Sequence, residues 1–352
     1  MSIRSERFEY DTAKPEDSEE ILKVLESTDF KGSISVLYTR RPDPLKSYNV
    51  EGDKYFMPVV RDSHSRKICG VGCCVIRKGF INGEEKNIGY LTGMKVLPEF
   101  QKIYINISRV YKQIFKETEN MVDIYYTTIL KDNDSVQKML EKKRENMPEY
   151  RTIGDYTVYC FRTGRKKHTP FTITKGLNEE CKEYLSTNLK KSNLSPIDLE
   201  RPGLSDQDFY FMKDESGEII ASCGVWNQQS FKQYIVTGYS GVYNLIKKLP
   251  LKLIGYPDFP IVNTIVNYGC ITGFCIKNNN IETGRIFLEK VAQEAVCYNF
   301  LMFGLLESHP LNKVFKNIRH IKYYSKAYSV HKIWGEENIF DNRPINIEVG
   351  LL

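Results

Sequence analysis

The sequence predicts an α/β protein with mixed sheets, arranged as two domains in tandem. The chain has 352 residues, which exceeds one typical domain of roughly 100–200 residues. In both halves, runs rich in β-branched and aromatic residues alternate with segments of helical periodicity. We expect a first domain over residues 1–163, a polar linker over residues 164–176 and a second domain over residues 177–352.

The first domain is predicted to run α, β-hairpin, β, α, β, α, β. Pro15 and the acidic residues after it mark the start of the first helix, and residues 39–54 are interpreted as a loop. Val122–Leu130 is a nearly unbroken apolar run, which is typical of a strand buried on both faces. The remaining predicted elements are a hairpin of Tyr55–Arg61 and Lys67–Arg77, a strand Asn87–Val96, a helix Ile103–Phe115, a helix beginning at Asn133 and a strand Tyr156–Phe161.

The second domain is predicted to repeat this element order without clear residue identity between the halves. A helix is expected over Thr283–Val296, because its apolar residues fall on one face. The predicted strands are Phe209–Met212, Glu218–Trp226, Ile271–Ile276, Leu301–Leu306, Tyr323–Ile333 and a last one over Ile345–Leu351.

Composition and charge narrow the functional classes. The net charge of +6 arises from 50 basic and 44 acidic residues without a long basic run, so no nucleic-acid partner is expected. Nine cysteines at irregular spacing predict free thiols in a reducing compartment and no metal site. The charged N-terminus and the lack of an apolar run of about 20 residues predict a cytoplasmic protein with no membrane partner.

The stretch Tyr90–Lys143 resembles the acyl-CoA-binding core of the GNAT superfamily of N-acyltransferases. The resemblance lies in the order strand, loop, helix, strand, helix and in the motif Val96-x-Pro98-x-x-Gln101. It implies acetyl-CoA or another acyl-CoA as co-substrate, a small-molecule or peptide amine as acceptor, and no metal. The second half would be a degenerate domain of the same kind, since Cys275–Ile281 has no Gly, Arg or Gln at the corresponding loop.

The resemblance also implies which residues contact the cofactor. Met94 and Val96 would pair by their backbone with the pantetheine arm, and Asn133 would lie beside it. The pyrophosphate would lie over the amides at the start of a helix, which carry partial positive charge. The residues that match this phosphate loop are Gln101, Lys102, Ile103, Tyr104, Ile105 and Asn106. Tyr104 and Asn106 stand where the family places small residues.

The catalytic groups are less clear from the sequence. The family's usual general acid, a tyrosine, corresponds to Leu140, and no His or Glu lies on Tyr90–Val96. Tyr90, Thr92 and Tyr126 are the polar candidates, with packed strand residues as the alternative. The leading hypothesis is an acyl-CoA-dependent N-acyltransferase in which the amine attacks the thioester directly. A non-catalytic binding or scaffold protein and a peptidoglycan-type aminoacyl transferase are the alternatives, and a homo-oligomer is left open.

Overall fold

The computed structural model describes residues 7–103, 105–164, 171–197, 199–337 and 339–352. In these residues the first half contains eight strands and four helices. They are β1 (Phe8–Thr12), α1 (Ser18–Glu26), β2 (Ile34–Thr39), α2 (Pro44–Glu51), β3 (Lys54–Phe56), β4 (Pro58–Asp62), β5 (Ile68–Ile81), β6 (Glu84–Val96), α3 (Ile107–Thr118), β7 (Ile124–Leu130), α4 (Asp134–Glu141) and β8 (Glu149–Arg162).

The second half has a similar order of elements. They are β9 (Ile173–Lys175), α5 (Glu179–Leu189), β10 (Ser195–Pro196), β11 (Phe209–Lys213), β12 (Ile219–Trp226), β13 (Gln233–Tyr239), α6 (Gly241–Ile246), β14 (Tyr268–Ile276), α7 (Ile281–Glu294), β15 (Phe300–Leu306) and β16 (His320–His331). No helix in the described ranges is long and apolar enough to cross a membrane.

The two halves share one continuous sheet and exchange their last strands. Fourteen strands form this sheet, and its central order is β6-β7-β16-β8-β15-β14. The first-half strand β8 pairs with β15 and β16, while the second-half strand β16 pairs with β7. These pairings are all antiparallel, so β7 and β15 run in opposite directions. The predicted mixed α/β class is confirmed, and the bounds 1–163 and 177–352 stay a prediction.

A pair of adjacent parallel strands is present in the first half. β6 and β7 are paired at Ile88↔Ile124, Gly89↔Tyr125 and Tyr90↔Tyr126, and no further. On its other edge, β6 carries one extra residue relative to β5, because Val71 pairs with Lys95 but Cys73 pairs with Thr92. Such a bulge bends a strand away from its neighbour. We call the resulting gap beyond Tyr90 and Tyr126 the first splay.

A second splay with the same construction lies in the second half. β14 and β15 pair in parallel from Tyr268↔Phe300 to Cys270↔Met302. On its other side β14 pairs with β12, and it carries one extra residue there, because Ser222 pairs with Cys275 but Gly224 pairs with Thr272. Each splay opens at the C-terminal end of its parallel pair. Because β7 and β15 run in opposite directions, the two splays open at opposite ends of the sheet's strands.

The register of the two splays reveals a sequence repeat that a direct comparison of the halves misses. Asn87-x-Gly89-x-x-Thr92-Gly93 and Asn267-x-Gly269-x-x-Thr272-Gly273 occupy equivalent positions. A Cβ on Gly89 would lie 2.8 Å from the Tyr125 ring, and one on Gly269 would lie 2.7 Å from Val225. Gly93 and Gly273 have positive φ angles of 65° and 58°, which favour glycine. The prediction that the halves share no residue identity is therefore wrong at these strands.

Some local predictions were also wrong. The predicted loop 39–54 contains α2, which the Asp43 carboxylate caps by accepting bonds from the Leu45 and Lys46 amides, with Pro44 in the first turn. Ile345–Leu351 is no strand; residues Val349–Leu351 form a single turn of 3₁₀ helix. β2 and β13 pair with each other in a separate two-stranded sheet, and this long-range pairing left no local signal.

Candidate functional site

The first splay is accessible from solvent. Past the bulge, Met94 is 39% exposed and Thr92, Lys95 and Val96 are half-buried. On the facing strand, residues 128–130 are half-buried as well. Thr127 bridges the base of the splay, since its hydroxyl donates to the Leu91 carbonyl at 2.7 Å. Beyond this contact β6 and β7 are not paired with each other, which leaves a slot between the two strands.

The three predicted catalytic candidates lie at the base of this slot. The Tyr90 and Tyr126 rings pack with centroids 4.9 Å apart, and the Tyr90 hydroxyl lies 3.1 Å from the Thr128 hydroxyl. Thr92 follows Tyr90 on the same face of β6. Burial raises the pKa of Tyr90, and its hydrogen bonds to Thr128 and Thr92 act in the opposite direction. The structure thus brings Tyr90, Thr92 and Tyr126 together.

Arg77 of β5 completes this group. Its guanidinium donates to the Tyr126 hydroxyl and lies 5.6 Å from the Tyr90 ring centroid and 5.5 Å from that of Tyr126. Burial raises the pKa of both tyrosines. Both phenols therefore stay protonated near neutral pH, and they can donate hydrogen bonds but are poor proton acceptors.

Helix α2 covers the bulge from one side. The Tyr48 hydroxyl lies 2.5 Å from where a Cβ on Gly93 would stand, so this position needs a glycine. Arg40 stacks on the Tyr48 ring with its guanidinium 3.7 Å from the ring centroid. The positive φ of Gly93 and the hydroxyl beside it fix the path of β6 at the bulge.

A buried ion cluster joins α2 to the second half. Glu51 bonds Arg40 at 2.7 Å and Lys232 at 2.5 Å, and all three side chains are fully buried. Burial alone would raise the pKa of Glu51, but the two cations lower it. The Lys232 ammonium also donates to the carbonyls of Gly350 and Leu352. The cluster therefore fixes the C-terminal segment against α2.

The loop between α1 and β2 passes over the mouth of the first splay. The Lys95 ammonium donates to the Leu25 and Thr28 carbonyls at the end of α1, where a cation is favoured by the helix dipole. A Cβ on Gly32 would lie 3.5 Å from the Asp132 carboxylate. Because Asp132 follows β7, this loop connects the two sides of the splay.

The predicted phosphate loop precedes helix α3. The helix begins at Ile107 and not at Ile103, so the amides of Lys102, Ile103 and Ile105 belong to a loop. The prediction was wrong because Ile103, Ile105 and Ile107 all pack against the apolar cluster beside α3, and this alternate spacing is that of an extended chain. Gln101 and Lys102 are exposed; Tyr104 lies outside the described residues.

The other predicted cofactor contacts have the following surroundings. The Asn106 amide donates to the Tyr10 hydroxyl at 2.9 Å, so it is already paired. The Val96 carbonyl accepts from the side-chain amide of Gln101 at 3.3 Å. Asn133 precedes α4 without a side-chain bond to the backbone, while Leu140 is buried on the inner face of that helix. Asn133 thus keeps a polar side chain at the end of β7.

The second splay is closed by the C-terminal segment. All residues of β14 and β15 are buried, and residues Val349–Leu351 contact both strands. The Glu348 carboxylate accepts from the Thr272 hydroxyl at 2.5 Å and from the Gly273 amide at 2.7 Å. Thr272 and Gly273 correspond to Thr92 and Gly93. A bulge of this kind therefore presents a hydroxyl and an amide that together bind the two oxygens of one carboxylate.

Sequence analysis missed Arg77, Glu51, Lys232 and Glu348. The one signal that could have found part of this site is the repeated Asn-x-Gly-x-x-Thr-Gly pattern, which marks both bulges. The cations and carboxylates come from distant parts of the chain, and nothing local indicates that they meet.

A cleft of about 420 Å³ lies away from both splays. Gly203, Asn227, Gln229 and Tyr298 line it. It is located where β12 ends and before β15 begins, whereas the second splay opens at the other ends of β14 and β15. The cleft therefore lies at the same end of the sheet as the first splay, but no residue that lines it belongs to β6 or β7.

The chain is similar to known proteins in structure. No family model and no curated protein matches the chain. A GCN5-related N-acetyltransferase from Sphaerobacter thermophilus aligns with a TM-score of 0.54 at 9% identity, over 96% of this chain and 99% of that one. Saccharomyces cerevisiae N-myristoyltransferase with bound myristoyl-CoA aligns with a TM-score of 0.55 at 8% identity, over 93% of this chain and 83% of that one. At these identities the likeness is one of fold.

Proposed function

We propose that this chain, which has the tandem GNAT fold, is an acyl-CoA-dependent N-acyltransferase that works at the first splay. The observation that carries the proposal is the contrast between the two bulges. In the second half, Thr272 and Gly273 hold a carboxylate of the protein itself. In the first half, the equivalent Thr92 and Gly93 are half-buried, and among the described residues no carboxylate is bonded to them.

In this proposal the thioester oxygen of acyl-CoA takes the place that the Glu348 carboxylate has in the second half. The Thr92 hydroxyl and the Gly93 amide would donate to that oxygen and stabilise its negative charge as the amine attacks. Met94 and Val96 would pair with the pantetheine arm, and Asn133 would contact it from the end of β7. Gln101 and Lys102, both exposed, would meet the phosphates ahead of α3.

The tyrosines would position the reactants and would not remove protons. Because burial raises the pKa of Tyr90 and Tyr126, neither phenol is a base at neutral pH. The acceptor would enter as the free amine and attack directly, with proximity supplying much of the rate. Tyr90 and Thr128 would hold the acyl group. As the carbon–nitrogen bond forms and the carbon–sulfur bond breaks, the Tyr90 or Thr128 hydroxyl would donate a hydrogen bond to the departing thiolate, which takes up the proton that the new amide nitrogen loses. Acetyl transfer to a small-molecule or peptide amine is the specific form we propose, in the cytoplasm.

Calorimetry with acetyl-CoA tests the cofactor site. We expect Lys102→Glu to weaken binding by about tenfold or more, because one charge-assisted contact to a phosphate is reversed in sign. Lys277→Glu is the matched control: it lies in the corresponding loop of the second half, where Lys277 pairs only with the exposed Glu218, and it should leave affinity unchanged. Absence of binding by the wild type, or a loss confined to Lys277→Glu, would contradict the proposal.

Two further measurements separate an enzyme from a binding protein. Release of free thiol from acetyl-CoA and from myristoyl-CoA, measured with a panel of amines, reports transfer and acyl-chain preference. Binding of acetyl-CoA by Tyr104→Gly alone, and not by the wild type, would favour the non-catalytic alternative, since a side chain at that position would then block the phosphates.

A further inference from the structure

Half of the exposed large hydrophobic side chains in the described residues lie in one short segment. Of fourteen such side chains, seven fall between residues 242 and 265. Single exposed apolar residues are ordinary on a protein surface, but a dense group marks an interaction surface. We call residues 241–265 the apolar lobe. Its exposed members are Val242, Leu245, Leu249, Leu253, Ile254, Ile261 and Ile265.

The apolar lobe is a packed unit and not a loose loop. The Phe259 ring packs edge-on against Tyr239 at 5.3 Å and against Tyr243 at 5.6 Å. The Tyr239 hydroxyl donates to the Pro260 carbonyl at 2.6 Å, and the Arg162 guanidinium donates to the Lys252 carbonyl. These contacts fold the segment back onto β13 and α6. The exposed leucines are therefore held outward on an ordered scaffold.

Basic side chains are interleaved with the apolar ones. The lobe contains three lysines (Lys247, Lys248 and Lys252) and a single acid, Asp258. Asp258 pairs with Lys252 at 2.8 Å, and the Lys247 ammonium lies 5.6 Å from the Tyr239 ring centroid. Three lysines against one aspartate give the lobe a net charge of +2.

The combination of exposed apolar and basic side chains distinguishes between two kinds of partner, a second copy of the chain and a lipid membrane. In a symmetric dimer the same patch would face itself, and the lysines of one copy would meet those of the other. Protein interfaces are depleted in lysine at their core. An anionic bilayer, in contrast, accepts both features: apolar side chains enter the boundary between headgroups and acyl chains, and lysines contact the phosphates.

We propose that the apolar lobe docks onto the surface of an anionic lipid membrane. The leucine and isoleucine side chains enter the headgroup boundary, and Lys248 and Lys252 bind lipid phosphates. This is a peripheral contact that needs no membrane-spanning helix, and it would revise the sequence-based expectation of no membrane partner. The lobe starts directly after Ser240, whose amide and hydroxyl donate to Ser33 and Gly32 in the loop over the first splay. Docking would therefore bring the mouth of the first splay close to the lipid surface.

Vesicle flotation with the full chain tests the proposal. The probes are vesicles of phosphatidylcholine alone and vesicles of phosphatidylcholine mixed with phosphatidylserine. The test variant is Leu245→Ser with Leu253→Ser, at side chains that are 75% and 84% exposed. We expect wild-type protein to bind the mixed vesicles, and the double variant to bind them about tenfold or more weakly because it loses two insertable side chains. Lys248→Glu should reduce binding to mixed vesicles, and salt should reduce wild-type binding.

The matched control is Val296→Ser with Ile333→Ser, since both side chains are 69% exposed and lie outside the lobe. It should bind like the wild type. Because all these positions are exposed, unchanged melting temperatures verify that each variant is folded. Failure of the wild type to bind mixed vesicles, or equal binding by the Leu245 and Leu253 variant, would overturn the proposal. So would a wild-type dimer in lipid-free sedimentation that only the lobe variants dissociate, because the lobe would then contact a second copy.

Discussion

The two splays have the same backbone geometry, but they differ in whether another segment of the chain fills them. Each follows a short parallel pairing, and each bulge has a threonine followed by a glycine with positive φ. In the first half the slot beyond the bulge is accessible, whereas in the second half Glu348 binds the threonine and the glycine. The difference shows that the backbone geometry alone does not make a ligand site. What decides is whether another part of the chain takes the oxygen-binding position.

The C-terminal segment that closes the second splay is fixed at several points. Glu348 binds the bulge, the Gly350 carbonyl accepts from Gln228 and Lys232, and Lys232 connects to Glu51 of α2. The Tyr156 hydroxyl adds a bond to the Ile347 carbonyl at 2.8 Å. The contact that closes one splay is thus joined to the helix that covers the bulge of the other.

The largest effect is expected from breaking this connection at Glu51. Glu51→Gln would leave Arg40 and Lys232 as two buried cations without a counter-charge. Removing one partner of a buried ion pair typically costs about 3–5 kcal/mol, and we expect a loss of that size in the free energy of unfolding measured with urea. The matched control is Glu180→Gln, whose pair with Lys213 is exposed and worth at most about 1 kcal/mol. Similar losses for the two variants would contradict a structural role for the cluster.

An effect of similar size is expected at Glu348, where the comparison can be sharpened. Glu348→Ala would leave the Thr272 hydroxyl and the Gly273 amide buried and unpaired, which costs about 1–3 kcal/mol for each group. Glu348→Gln keeps one acceptor oxygen and should cost less. Urea denaturation measures both losses.

Calorimetry on the Glu348 variants then asks whether the second splay can take acyl-CoA. We expect the stoichiometry to equal that of the wild type, because Gln228 and Lys232 still hold the Gly350 carbonyl and the loop Cys275–Ile281 has no phosphate-binding glycine. A second equivalent of acetyl-CoA bound by Glu348→Ala would contradict this and would make Glu348 the sole barrier.

The sequence predicted those parts of the site that depend on local pattern. The apolar run Val122–Leu130 and the pattern of Asn87–Val96 indicated the two strands of the first splay, and the motif from Val96 to Gln101 indicated the loop after the first of them. The start of α3 was misplaced, because the isoleucines at 103, 105 and 107 fit both helical and extended spacing. The exchange of β8 and β16 and the contacts of Glu51 and Glu348 join residues far apart in the chain, so they depend on tertiary structure that no local pattern encodes.

The smallest expected effect concerns the positions that follow β7 and β15. Asn133 comes three residues after Leu130, and His309 comes three residues after Leu306. Asn133 is half-buried, whereas His309 is buried and its Nδ1 accepts from the Leu311 amide at 3.1 Å. Burial lowers the pKa of His309 to about 4, below the value of about 6.5 for an unfolded histidine.

This difference predicts a dependence of stability on pH. Between about pH 6.5 and pH 4 the unfolded chain binds a proton at His309 that the folded chain does not, so stability is full above about pH 6.5 and falls as the pH decreases. We expect His309 to contribute about 1–2 kcal/mol of the loss between pH 7 and pH 5. His309→Asn places the first-half residue at this position, where its side-chain oxygen can still accept from the Leu311 amide, and should remove that contribution. His64→Asn, at a side chain that is 76% exposed, is the control and should keep it. The effect is measured as the urea midpoint at both pH values. An equal decrease in this midpoint for the wild type and His309→Asn would show that the burial of His309 after β15 does not exclude the proton.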